Sequence, residues 1–114
     1  MRILHISAEC YPAAKAGGLG DVAGALPKYL NKLKASTAVI IPRYRTRWLN
    51  EQSFDTLLTG VFMMGQEQVP FAIQKVKDDP TGFPLYVADI PGKFDRPGVY
   101  MDENGVAYAD ELSR

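Results

Sequence analysis

The residues best suited to chemistry lie close together near the start of the chain: Glu9, Lys15, Gly17, Gly18, Gly20 and Asp21. In the stretch Lys15-Ala-Gly-Gly-Leu-Gly-Asp-Val22 the glycines let the backbone come close to a ligand. If a helix starts there, its unpaired N–H groups and its dipole favour an anion at that point. Lys15 adds a full positive charge able to meet a phosphate. The same glycines also suit a plain tight turn with Lys15 solvated, because a lone glycine motif is weak evidence. Glu9 follows the apolar run Ile3-Leu-His-Ile-Ser7 and so falls at the carboxyl end of a strand, the edge where open α/β sheets bind ligands. His5, inside that run, reads as a core residue. Cys10 is the single cysteine and His5 the single histidine, which leaves no internal disulfide and no Cys/His set for zinc. Cys10 reads as a small, buried or half-buried side chain.

The elements that must position these residues follow from periodicity. The nearly continuous apolar run from Arg2 to Ser7 predicts a strand buried on both faces and central in a parallel sheet. Pro12 ends it. Leu19, Val22, Leu26, Leu30 and Leu33 recur at intervals of three and four, predicting a helix from near Leu19 to near Lys34 with those residues on its core-facing side. Pro27 predicts a kink or a break. Lys28, Lys32 and Lys34 complement the dipole at the helix end. Thr37-Ala-Val-Ile-Ile41 reads as a second strand, parallel to the first in a βαβ unit. Arg43-Tyr-Arg-Thr-Arg-Trp48 then reads as a solvated basic loop with Trp48 tucked onto the body, although such a run also suits phosphate. Residues 54–64, 69–76 and 83–88 read as three strands, the first two a hairpin and the third rejoining the central sheet. Residues 90–98 are rich in Pro and Gly and read as loop. A helix beginning at Gly105 stops before it can bury a face, so the chain reads as a fragment.

Composition bounds the function. The 114 residues suffice for one small domain with one core. Hydrophobic residues make up 46% and charged residues 23%, as in an ordinary globular protein. No apolar run approaches the roughly 20 residues a spanning helix needs, and no signal peptide opens the chain, so a cytoplasmic location is expected. The net charge is zero, yet residues 1–50 hold eight Lys/Arg against two acids and residues 51–114 hold five against eleven. That asymmetry argues against general nucleic-acid binding and suits a local anion site in the first half.

Taken together, Glu9, Pro12, the Lys15-x-Gly-Gly-Leu-Gly-Asp-Val22 loop, Ala25-Leu-Pro27, Pro42-x-Tyr44, Asp95-Arg-Pro-Gly98, Tyr100 and Tyr108-x-Asp110 resemble the bacterial glycogen synthases and plant starch synthases. These are retaining glucosyltransferases of the GT-B fold, and the resemblance covers the whole chain. It implies a partial, Rossmann-like N-terminal domain, a parallel sheet core with an added β-hairpin, spanning residues 1–114. It also implies glucose transfer from ADP-glucose to the nonreducing end of an α-1,4-glucan with retention, with no metal and no cofactor. By the same resemblance Lys15 approaches the donor phosphates, and Gly17 and Gly18 turn backbone amides toward the donor. Asp21 is the loop aspartate near the donor, and Glu9 is an acidic residue tied to activity and acceptor positioning. Growing negative charge on a departing diphosphate is what such amides and Lys15 would stabilise. Two departures stand out. Phe94 precedes Asp-Arg-Pro-Gly where the family often has tyrosine, and the C-terminal nucleotide-binding domain is absent, so this chain alone should be inactive.

Two other readings compete. A nicotinamide-dinucleotide domain would use Gly18-x-Gly20 before the helix and Arg43 for a 2′-phosphate. Against it, the glycines begin ten residues after Ser7, and Gly24 is one residue too far on to complete the fingerprint. A non-catalytic glucan-binding module would use Tyr11, Tyr44 and Trp48 as an aromatic platform.

Overall fold

Alternating apolar runs and a helical period produce a strand–helix–strand unit at the start of the chain: β1 (Arg2–Ile6), α1 (Gly18–Lys32) and β2 (Ser36–Pro42). The computed structural model describes residues 2–91. Phe94, Asp95-Arg-Pro-Gly98, Tyr100, the Tyr108 stretch and the helix expected from Gly105 lie outside the described residues. β1 and β2 pair in parallel as expected, with Ile3 opposite Thr37 and His5 opposite Val39. The one-turn helix α2 (Arg47–Asn50) follows, then β3 (Phe54–Met64), β4 (Glu67–Val76) and β5 (Leu85–Asp89). β3 and β4 form the expected hairpin, closed at Gly65, whose φ of 65° lies in the left-handed region that glycine enters without steric cost. β5 rejoins the sheet, parallel to β2 and antiparallel to β4. The order is β1-β2-β5-β4-β3.

β1 is therefore an edge strand of the described sheet, not its centre. One face of the parallel part is packed: Val39, Ile41, Leu85 and Val87 are buried, and Ala23 of α1 belongs to the same cluster. On the opposite pleat Leu4 is 55% and Ile6 84% exposed. The expectation of a strand buried on both faces fails because no described element covers that side. Apolar run length alone cannot report which layers are present.

α1 departs from expectation in a second way. Its buried residues are Gly20, Ala23, Gly24 and Pro27, whereas Leu19, Val22, Leu26 and Leu33 of the leucine-rich stripe are exposed. The helix packs through its small face because the chain before it lies against that face. A Cβ on Gly24 would stand 2.4 Å from the Tyr11 carbonyl oxygen, closer than any side chain can sit. α1 also runs unbroken through Pro27. A proline at this position leaves the carbonyl four residues earlier, that of Ala23, without its helical donor. The Cys10 thiol fills the vacancy, with Sγ 3.5 Å from the Ala23 oxygen and 3.7 Å from that of Tyr11.

Replacing Gly24 by alanine tests the small-face packing. Alanine gains about 1 kcal/mol of helix propensity, but the clash with a backbone carbonyl is expected to outweigh it, for a net loss of about 2 kcal/mol in urea unfolding. An unchanged or raised urea midpoint would contradict this packing.

Candidate active site

The loop between β1 and α1 is built from its backbone outward. Ser7 ends β1 and turns its hydroxyl onto the next residues: Oγ donates to the Glu9 carbonyl at 2.7 Å and accepts from the Glu9 N–H at 3.3 Å. This fixes the backbone that carries Glu9. The peptide bond between Tyr11 and Pro12 is cis. Cys10 and Ala14 then exchange two backbone hydrogen bonds, 2.8 and 2.9 Å, which close the loop onto itself. Tyr11 N–H donates to the Gly20 carbonyl at 2.9 Å, tying the loop to the first turn of α1.

The segment after β2 braces the same loop. The Tyr44 hydroxyl donates to the Ala8 carbonyl at 2.8 Å, and the Thr46 hydroxyl donates to that of Ala13 at 2.6 Å. Thr46 also caps α2, accepting from the Leu49 N–H at 3.3 Å. Residues 43–48 are thus solvated only at Arg45 and Arg47, while Arg43, Tyr44 and Thr46 pack as a brace and Trp48 lies against the core as expected. Arg43 is buried. Its guanidinium donates to the Tyr44 carbonyl and, at 3.2 Å, to Asn50 Oδ1, and it stacks 5.0 Å from the Phe54 ring centre. Burial, and secondarily Arg45, lower its pKa, while Asp89 acts in the opposite sense. It is not placed to receive a 2′-phosphate, and buried Tyr44 is not placed to serve as a binding platform.

At the centre of the loop is Glu9, only 1% exposed. Its Oε1 accepts the Gly17 N–H at 3.0 Å and the Gly20 N–H at 2.6 Å. The Gly17 amide, expected to face a donor, is therefore engaged inside the protein. Lys15 and Asp21 meet above this centre at 3.1 Å, with both side chains about half exposed, and the Lys15 ammonium lies 6.0 Å from the Tyr11 ring centre. The glycines divide into two kinds. A Cβ on Gly20 would press on Glu9 Oε1 at 3.0 Å and on Lys15 Cγ at 3.1 Å, so packing demands a glycine there. Gly17 and Gly18 have no such need: a Cβ on either meets nothing within 4 Å, and Gly17 is in extended backbone with φ of −161°. Neither sterics nor turn geometry requires glycine at these two positions. Beside them, at the carboxyl end of β1, a groove of about 350 Å³ is lined by residues that include Ser7, Ala8, Leu19 and Val22.

All the residues singled out in the sequence, Glu9, Lys15, Gly17, Gly18 and Asp21, thus gather around one loop. Ser7 and Thr46, which help to hold that loop, carried no such signal; Cys10 was expected only to be small and buried, and Tyr44 stood out for the family resemblance and as a platform aromatic rather than as a brace. Tyr44 and Thr46 act across more than 30 residues of sequence. Among the described residues no group of three or more His, Cys, Asp and Glu gathers as a metal site.

The model of the starch synthase catalytic domain family matches residues 2–114. The chain belongs to that family. It is 41% identical over 114 residues to the glycogen synthase of Flavobacterium johnsoniae, and 35% identical over 116 residues to that of Francisella philomiragia subsp. philomiragia. Each match takes in 100% of this chain but 23% of the relative, so the chain spans about a quarter of their length. Among solved structures it is similar to the catalytic domain of starch synthase IV from Arabidopsis thaliana bound to ADP and acarbose. That likeness has a TM-score of 0.69 at 24% identity and covers 90% of this chain and 22% of the other. The mixed five-stranded sheet is thereby part of a GT-B starch synthase fold, in agreement with the expected α/β class.

Cys10 gives this loop a measurable signature. Burial pushes the thiol up to about 11 from its ordinary 9.0, against a small opposing effect of Lys28. The proton that Ala23 needs is therefore retained. Because the folded-state pKa is raised, the contribution to stability is complete below about 9 and declines as pH rises toward about 11. The urea midpoint is expected to fall across that window in the wild type and to fall less in Cys10→Ser. Identical pH profiles for the two would refute the assignment. Cys10 should also resist alkylation until the fold is opened.

Proposed function

We propose that this chain is the N-terminal part of a glycogen synthase catalytic domain, and that the β1–α1 loop is one wall of its nucleotide-sugar site. The full-length protein then transfers glucose from ADP-glucose to the nonreducing end of an α-1,4-glucan with retention. The observation that carries the reading is the pair Gly17 and Gly18: open to solvent, required by no packing or turn, and two and three residues along the chain from Lys15. Family membership and a relative named glycogen synthase support the same chemistry. The remaining nucleotide-binding wall belongs to a second domain outside this chain. No helix among the described residues is long and apolar enough to cross a membrane, and the enzyme is expected to work in the cytoplasm.

In this reading the diphosphate of the donor comes to rest over the first turn of α1. Lys15 leaves or shares Asp21 to meet it. That exchange is easy, since exposed ion pairs are worth about 1 kcal/mol or less. As the bond between glucose and phosphate breaks, negative charge grows on the departing diphosphate. A fixed ammonium and backbone N–H groups then stabilise the transition state more than the bound donor. Asp21, expected from the resemblance to lie near the donor, keeps the Lys15 ammonium at the loop, at 3.1 Å, until the donor arrives. The glucan acceptor lies on the same side of the sheet, at the carboxyl ends of the strands.

Lys15→Ala in the full-length protein is the direct test. Glucose incorporation into glycogen from ADP-glucose is expected to drop by about 100-fold. Undiminished incorporation would remove Lys15 from the donor site, and tight binding of NADPH with no response to ADP-glucose would favour the dinucleotide reading instead.

A further inference from the structure

The place that a bound anion would take at the start of α1 is partly filled from within. Glu9 Oε1 accepts from Gly17 and Gly20, at 3.0 and 2.6 Å, where a ligand oxygen would otherwise accept. The side chain is 1% exposed and so does not touch anything that approaches from outside. Glu9 Oε1 and Lys15 Cγ lie against the same glycine, at 3.0 and 3.1 Å from where a Cβ of Gly20 would be, so the carboxylate and the stem that carries the ammonium share one packing position in the loop.

We propose that Glu9 is a positioning residue for donor binding: it serves as the built-in anion of the α1 N-terminus and shapes the loop through Gly17 and Gly20. The N–H groups of Gly18 and Leu19, with Lys15, are left as the set that meets a diphosphate. The proposal rests on the donor-site reading above, but it gives Glu9 a different part from the one the resemblance implies. The carboxylate neither touches the glucan nor exchanges a proton in the reaction. The first N–H groups of a helix have no acceptor within it, and those of Gly18 and Leu19 have none among the described residues. Gly18 faces open space, which is what close approach of a phosphate oxygen requires.

The experiment compares Glu9→Gln, Glu9→Ala and Lys15→Ala in the full-length protein, measuring kcat and the KM values for ADP-glucose and for glycogen separately. Glutamine keeps a carbonyl for both loop bonds, and no described residue donates to the other carboxylate oxygen, so little is lost there. Glu9→Gln is expected to stay within about tenfold of wild type in kcat/KM for ADP-glucose, the difference between charge-assisted and neutral bonds. Glu9→Ala leaves two N–H groups without an acceptor, and a drop of about 100-fold is expected, with the KM for glycogen unmoved. A merely structural glutamate would lower the amount of folded enzyme without separating the two KM values. The proposal is overturned if Glu9→Gln is as impaired as Glu9→Ala, or if the loss appears in the KM for glycogen. If Glu9→Ala does not fold, the glutamine variant decides alone, by whether it keeps or loses kcat/KM for ADP-glucose. Loss in both Glu9 variants alongside an impaired Lys15→Ala removes this proposal alone. A fully active Lys15→Ala removes the donor-site reading and this proposal with it.

Discussion

A buried carboxylate oxygen holding two backbone N–H groups is the constraint around which this molecule is arranged. An ionised carboxyl taken out of water is costly unless charge-assisted bonds replace its hydration. Glu9 finds that replacement in Gly17 and Gly20 at the positive end of α1. The bond at 2.6 Å joins residues 9 and 20, so everything between them must follow a closed course. Ser7 fixes the near end of that course, Tyr11 N–H on the Gly20 carbonyl fixes the far end, and the Cys10–Ala14 pairing fixes its middle. Tyr44 and Thr46 then bind it to the segment after β2.

The arrangement also dictates how α1 meets the body of the protein. With the loop folded back against the helix, only residues without large side chains fit between them, which accounts for Gly20, Ala23 and Gly24 on the buried side. The same closeness brings a thiol to the carbonyl that Pro27 leaves without a donor. Proline in mid-helix is tolerated here because a tertiary neighbour supplies the missing hydrogen. The apolar stripe of α1 and Leu4 and Ile6 of β1 stay exposed, with Leu19, Val22 and Ile6 lining the groove at the carboxyl end of β1.

Much of this was legible in the sequence, for identifiable reasons. Short apolar runs bounded by Pro and Gly located β1, β2 and the hairpin, because strand patterns are local. The residues of the candidate site could be grouped from the sequence too, since they lie within 13 residues of one another, from Glu9 to Asp21. What could not be read was direction. Leu19, Val22, Leu26 and Leu33 have the spacing of a core-facing stripe, yet the neighbouring loop claims the adjacent side of the helix, that of Gly20, Ala23, Gly24 and Pro27. Arg43 and Tyr44 look like solvated or ligand-facing residues in a basic run, but a carbonyl, Asn50 and Phe54 draw the arginine inward, and the tyrosine reaches Ala8. Such bonds span long stretches of sequence, and no periodicity encodes them. The GT-B resemblance drew attention to the loop but did not foretell the inward-turned state of Glu9.

The bonds that shape the loop all lie between Ser7 and Thr46. Their separations run from two residues, between Ser7 and Glu9, to 36, between Ala8 and Tyr44, so the loop can close only once β2 lies beside β1. The hairpin β3–β4 makes none of these bonds. Substitutions there are correspondingly free to reshape the far edge of the sheet without redrawing the loop.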